Sequence, residues 1–355
     1  MVRRTALLLA FALWGNVAWA VPARADLPPP LARFHHDAIR LASHLPGAIA
    51  LDVLDLNTGY HAGLNAGRSM PAASTIKLPV MVEVFNQLQA GRFDLNHRVA
   101  LHASDRDYGS GVLCDARVGS SYPVSTLLEK MIDISDNTAT NMLIRLVGRP
   151  NINREMAELG LAHTHLAGYV RTDDWAIRRT LRTSPSDLVR LLSMMARGEL
   201  VDSWSSKEMI SILEADTINT LLPAPLPDDV AIAHKTGSFF DTLNDAGIVY
   251  AGDAPYVIAV MTTALRSKDA GRAFIRSISR LAYVDELSVA RWRTTMGLAP
   301  TFGTQPETAA PAQTTAGAAP DVHYWGANAQ PQSVEENAPA QSVEDDAAPT
   351  SPPTP

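Results

Sequence analysis

Ser74-Thr75-Ile76-Lys77 sets a hydroxyl and an amine three residues apart. On a helix, positions three apart share a face, so the amine can reach the hydroxyl. A serine hydroxyl is a weak nucleophile until a base takes its proton. A buried lysine with a depressed pKa is such a base. Placed at a helix start, Ser74 would also lie among free backbone N–H groups that favour an oxyanion. The chemistry implied is acyl transfer through a serine ester. Taken alone, the spacing is commonest on solvated helix faces and proves little.

Two further clusters supply what a serine and a lysine lack. Ser135-Asp136-Asn137 lies between two helical patterns. Ser135 could pass a proton to a leaving group, and Asn137 could hydrogen-bond a substrate amide. All three residue types also cap helices, the local role expected of Asp136. Lys235-Thr236-Gly237-Ser238 ends an apolar strand pattern. There Lys235 could hold a substrate carboxylate and polarise Ser135. Gly237 admits a close backbone approach, and the Ser238 N–H could join that of Ser74 as an oxyanion donor. Tyr108, before Gly109-Ser110-Gly111, is either a cleft wall or a surface-loop residue.

These clusters need a scaffold of two kinds. His35–Leu45 has an amphipathic helical pattern, and Ile49–Leu56 partly alternates as a strand does. From Ser74 to about residue 215 the chain is mostly helical. Thr75–Gln89 ends at the C-cap signal Gly91. Thr126–Ile134 opens with Thr126 and Glu129 at capping-box spacing. Ser184-Pro185 starts another helix, and Ser205 with Glu208 one more. Strand signals then return at Val230–Ser238, Asp245–Tyr250 and Tyr256–Thr263, with Asn244 and Gly252–Pro255 as the turns of an antiparallel meander. A last helix covers Ala270–Tyr283. The expected fold is α/β (α+β): an antiparallel sheet flanked by helices, built from about residues 26–69 and 216–300. An all-helical lobe, about 70–215, is inserted in it, with the substrate cleft between the lobes.

The ends read differently. Arg3-Arg4, the apolar run from Ala6 to Trp14 and the small residues near Ala20 and Ala25 follow the order of an export signal, so residues 1–25 are expected to be removed and the chain to be periplasmic or secreted. Residues 301–355 contain seven Asp/Glu, no Lys or Arg, and the near repeat QSVEENAPA/QSVEDDAAP. Such a segment cannot bury enough apolar surface to order itself. Between Asp26 and Pro300 stand 27 Lys/Arg and 30 Asp/Glu; no basic stretch signals nucleic acid, and no second apolar run signals a membrane span. The single cysteine, Cys114, cannot form an internal disulfide and reads as a packed small residue. A monomer with a small-molecule substrate and no cofactor is expected.

The three clusters, in this order and context, resemble the class A β-lactamases and the penicillin-binding proteins. The likeness runs from about Ala48 to Val284 and includes Pro71-Ala72-Ala73, Thr138–Asn141 and Asn244-Asp245. It implies a Ser74 acyl-enzyme formed from a β-lactam or an acyl-D-alanyl-D-alanine peptide whose carboxylate lies toward Lys235, Thr236 and Ser238.

The likeness fails at one place. Class A β-lactamases carry a glutamate, within Glu-x-x-Leu-Asn, that activates the water releasing the acyl group. The matching stretch here, Ala167–Trp175, has no glutamate. Asp173 and Asp174 are the carboxylates that could replace it. Glu155 and Glu158 lie earlier, on a helical pattern facing solvent. His163, His165 and His234 could hold a base or a metal, but no His-Glu-x-x-His pattern exists, and strand alternation turns His234 away from Lys235; no metal is expected. The leading expectation is therefore a serine β-lactamase with an altered deacylation loop. A D,D-peptidase and a non-hydrolytic β-lactam sensor are the alternatives.

Overall fold

The computed structural model describes residues 27–303. The export-signal region and the acidic terminal segment lie outside the described residues. The main sheet has five strands: β1 (Ala48–Asp55), β2 (His61–Leu64), β8 (Ala231–Phe239), β9 (Thr242–Tyr250) and β10 (Tyr256–Thr263), ordered β2-β1-β10-β9-β8. Every neighbouring pair is antiparallel. Helices α1 (Pro29–Ala42) and α9 (Lys268–Thr295) pack together against one face. Phe34, Leu51, Val260, Ile275 and Ile278 form part of that core. Helix α7 (Pro185–Ala196) covers the opposite face over β1, β9 and β10. With both faces covered, β10 is buried along its whole length, which is why its sequence is a continuous apolar run rather than an alternation.

Between β2 and β8 the chain is mainly helical. A short strand β3 (Met70–Pro71) leads into a 3-10 turn, Ala73–Ile76, and then α2 (Lys77–Gln89). Helix α2 is buried from Lys77 to Phe85, the signature of a central helix. Around it stand α3 (Val124–Asp133), α4 (Asn137–Val147), α5 (Arg149–Glu158) and α8 (Ser203–Glu214). The short α6 (Ile177–Thr180) follows an extended loop. Strands β6 (His165–Leu166) and β7 (Leu181–Thr183) join β3 in a second small sheet, and β4 (Arg98–Ala100) pairs with β5 (Ser121–Pro123). Among the described residues no helix is long and apolar enough to cross a membrane.

Several element boundaries differ from the sequence expectation. Helix α3 starts at Val124, and no side chain caps it. Its first N–H groups are instead taken by the backbone: Val124 donates to the His97 carbonyl and Ser125 to that of Leu95. Helix α8 is capped by Asp202, which accepts from the Ser205 N–H, so Ser205 lies inside the helix. Asn244 is not a turn residue but sits within β9. Helix α9 continues twelve residues past Tyr283. Its apolar pattern breaks there because buried positions are taken by Asp285, Glu286 and Arg293.

Candidate active site

The turn that carries Ser74 and the bend at Ser135 both hold backbone strain. Ala73 adopts φ 48° and Ser135 φ 56°, left-handed values unfavourable for residues with a Cβ. Two hydrogen bonds from Asn244 Nδ2, to the carbonyls of Pro71 (2.9 Å) and Ala72 (3.0 Å), hold the turn against the sheet. Strand β8 comes close as well. A Cβ on Gly237 would meet the Ala72 carbonyl oxygen at 3.1 Å and the Ser74 nitrogen at 3.2 Å, so glycine is what lets strand and turn touch. Ser74 is early in the turn, where its N–H has no intrahelical acceptor. Ser238 is on the outermost strand, where alternate N–H groups face no partner strand. Ser74 and Ser238 both line the cleft.

Lys77 is fully buried. Its Nζ donates to the Ser135 carbonyl (2.6 Å), Ser135 Oγ (2.9 Å) and Asn137 Oδ1 (2.9 Å). Among the described residues no hydrogen bond joins it to Ser74, so the amine is held through Ser135. Burial, and then the charge of Lys235, hold its pKa well below the ordinary lysine value. The three hydrogen bonds suit either protonation state. An ammonium donates to all three oxygens. A neutral amine donates to the two carbonyl-type oxygens and accepts the Ser135 hydroxyl proton on its lone pair.

Asp136 caps α4 through the Ala139 N–H, and its second oxygen accepts from the N–H groups of Val112 (2.7 Å) and Leu113 (2.8 Å). Gly111 packs against this carboxylate with no space for a Cβ. Asn137 is fixed at both ends: its Oδ1 receives Lys77 and its Nδ2 donates to Asp107 Oδ1 at 2.7 Å. Asp107 is the residue sequence reasoning missed. Buried, it also accepts from the Gly109 N–H (3.0 Å), the Thr172 N–H (2.7 Å) and the Thr172 hydroxyl (2.8 Å). It clasps the loop 105–112, the start of α4 and the loop 167–176 together. The Asp107-x-Gly109 spacing, an Asx-turn pattern, was the signal available for it.

Lys235 does not line the cleft. Its Nζ pairs with Asp216 Oδ2 at 3.0 Å, and both side chains are fully buried. Its charge also acts on Lys77, whose pKa it helps to lower. Thr236 and Ser238 do line the cleft, together with Lys268 and Arg272 from α9. Lys268 Nζ donates to Ser238 Oγ at 2.9 Å. Arg272 lies outside the three clusters that stand out in the sequence, on the helix that follows the sheet. Burial, and then Arg272, lower the Lys268 pKa.

The cleft, about 360 Å³, is faced by Val170, Thr172, Ile177 and Arg178 from the loop and short helix opposite. Asp173 and Asp174 line no part of it; Asp174 Oδ1 instead accepts the Ala176 N–H. No Asp or Glu is among the residues that line it. Tyr108 is 70% exposed and also outside the lining, which its neighbours Gly109 and Ser110 join. His234 is buried between Asp245 (3.0 Å) and Asn219 (3.0 Å). Burial alone would lower its pKa, but the charge and hydrogen bond of Asp245 outweigh that and raise it. His163 contacts Asp187, and His165 is exposed. Among the described residues no group of three His, Cys, Asp or Glu side chains comes together as a metal site. Cys114 is buried.

A family model described as the beta-lactamase enzyme family matches residues 35–285. The carbapenem-hydrolyzing beta-lactamase KPC of Klebsiella oxytoca is 26% identical over 296 residues, covering 79% of this chain and 96% of that protein. A beta-lactamase of Streptomyces albus G is 28% identical over 229 residues, covering 61% and 73%. The solved structure of PBP-A superposes with a TM-score of 0.69 at 33% identity, covering 74% of this chain and 100% of that one. A variant of PBP-A is known as an acyl-enzyme complex with penicillin G.

Proposed function

The chain belongs to the beta-lactamase enzyme family, and from that premise we propose that it is a serine hydrolase that opens the β-lactam amide through an ester on Ser74. One observation carries the reading: the buried, pKa-depressed Lys77 amine held between Ser135 and Asn137 beside the Ser74 turn. Ser74 Oγ attacks the amide carbonyl, and its proton passes to neutral Lys77, directly or through the Ser135 hydroxyl. The developing oxyanion takes the N–H groups of Ser74 and Ser238. Ser135 then protonates the departing nitrogen and is reprotonated by Lys77. The substrate carboxylate lies toward Thr236, Ser238, Lys268 and Arg272, because Lys235 is committed to Asp216.

Release of the acyl group proceeds without a cleft carboxylate, so the ester outlives its formation. That same feature, with the 33% identity to PBP-A, favours a second reading, a D,D-peptidase acting on peptidoglycan peptides. Both readings place the protein outside the cytoplasm, which rests on the sequence pattern of residues 1–25. A chromogenic cephalosporin and an acyl-D-alanyl-D-alanine peptide, each given to wild type and Ser74→Ala, separate them. Cephalosporin turnover abolished in the variant supports the hydrolase. D-alanine release with negligible cephalosporin turnover supports the peptidase. Turnover unchanged in Ser74→Ala contradicts both.

A further inference from the structure

Behind the loop wall of the cleft lies a second cavity, about 370 Å³, lined by Arg68, Arg178, Arg179, Arg182, Ser69 and Trp175 among others. Four guanidiniums around one cavity run against the chain's net charge of −7. Among them only Arg178 has an acidic partner within the described residues, Asp241 at 3.2 Å. Arg182 is anchored by neutral groups alone, the hydroxyl and carbonyl of Ser69 and the carbonyl of Arg178. Among the described residues the side chains of Arg68 and Arg179 form no hydrogen bond or ion pair. Burial, and then the charges of Arg178 and Arg68, lower the Arg182 pKa; the guanidiniums feel one another, and one carboxylate among four does not neutralise them. Crowded like charges in a concave site focus a positive potential. Guanidinium forks match the oxygens of a phosphate geometrically as well as electrostatically.

We propose that this pocket is an oxyanion site for a phosphate group, free or carried as a phosphomonoester, held by Arg68, Arg179 and Arg182 beside the Trp175 ring. Its volume is at the lower end of ligand-binding clefts, about 300–1,000 Å³, and exceeds what a bare phosphate fills. The Trp175 ring, 51% exposed and stacked on Arg178 at 4.8 Å, gives an apolar wall for the esterified part. Arg178 and Pro71 line this pocket and the catalytic cleft alike, so the bound group would lie against the back of the Ser74 turn. Nothing in the proposal depends on the reaction performed at Ser74.

The test is isothermal titration of the full chain with inorganic phosphate and, separately, with glycerol 3-phosphate, ionic strength being held constant with sodium chloride. The Arg68→Gln/Arg179→Gln variant removes two guanidiniums that hold nothing else in place, and circular dichroism checks its fold. Saturable binding of either anion by wild type, weakened about ten-fold or more in the variant, is the expected result, since removing one charge-assisted hydrogen bond weakens binding by about a factor of ten. Tighter binding of the ester assigns the site to a phosphomonoester, and tighter binding of the inorganic ion to free phosphate. No saturable binding at millimolar anion overturns the proposal. Unchanged affinity in the folded variant, or equal competition by chloride, overturns it as well.

Discussion

Replacing Asp107 by asparagine tests whether one carboxylate clasps three segments of the site. Both oxygens are occupied. Oδ1 accepts from Gly109 and Asn137, Oδ2 accepts the Thr172 N–H at 2.7 Å, and the Thr172 hydroxyl lies within reach of both, 2.8 Å from Oδ1 and 3.0 Å from Oδ2. The asparagine amide must turn its NH2 toward one of these sets. Facing Thr172 is the cheaper choice, because the Thr172 hydroxyl can rotate to accept, whereas Gly109 and Asn137 offer only donors. The Thr172 backbone N–H is then left facing a donor. Removing one hydrogen bond to a charged acceptor, with a part-buried N–H unsatisfied, costs about 2–4 kcal/mol. For a domain of this size that is a fall in the thermal midpoint of roughly 5–15 °C. Thermal unfolding by circular dichroism measures it. Because Asn137 keeps its bond in this orientation, acylation measured with a fluorescent penicillin should fall less than about ten-fold. A variant destabilised by under about 0.5 kcal/mol, within the range of ordinary surface substitutions, would show that Asp107 is not the clasp.

Other consequences follow from the same geometry. Lys77 serves as a base only when neutral, so the acylation rate should rise with pH through its lowered pKa and level off far below the ordinary lysine value of about 10.4; Lys77→Arg, which cannot lose its proton, should lower the rate about 10²–10⁴-fold. Gly237→Ala forces a Cβ to within 3.1 Å of the Ala72 carbonyl oxygen, and moving the strand off the nucleophile turn should slow acylation by roughly ten-fold or more with little change in helical content. Glu286 is buried in α9; burial first, and then the charge of Asp55, raise its pKa well above the usual value. The folded state therefore holds a proton that the unfolded chain gives up, and stability should fall as pH rises from the ordinary glutamate value toward the raised one. Glu286→Gln should flatten that dependence and be more resistant to urea than wild type at about pH 8, where the unfolded glutamate is fully ionised.

The residues of the proposed site were legible because their chemistry fixes both type and local spacing. Ser74, Lys77 and Ser135 lie in or next to helical segments, and β8 positions Thr236, Gly237 and Ser238 together on one strand. What was not legible depends on contacts distant in sequence. Asp107 meets Thr172 across 65 positions, and Asp216 neutralises Lys235 across 19; neither partner announces the other. Lys235, which the motif suggests as a carboxylate anchor, is paired with Asp216 and is not among the residues that line the cleft. Arg272 and Lys268 reach the cleft only because α9 starts beside the end of β8. Element types were recovered well, since apolar periodicity follows burial. Boundaries failed where backbone carbonyls replaced a side-chain cap, as at Val124, or where buried charges interrupted the apolar pattern, as in α9.

On the proposed mechanism Ser74 becomes covalently acylated, with Lys77 as the base, and the ester persists because no carboxylate lines the cleft. Intact-mass spectrometry of the protein through a time course with penicillin G tests this. One adduct per chain is expected, located on the peptide containing Ser74, appearing quickly, decaying slowly, and absent from Ser74→Ala. An adduct on another residue, or hydrolysis of penicillin that persists in Ser74→Ala without any adduct, would contradict it.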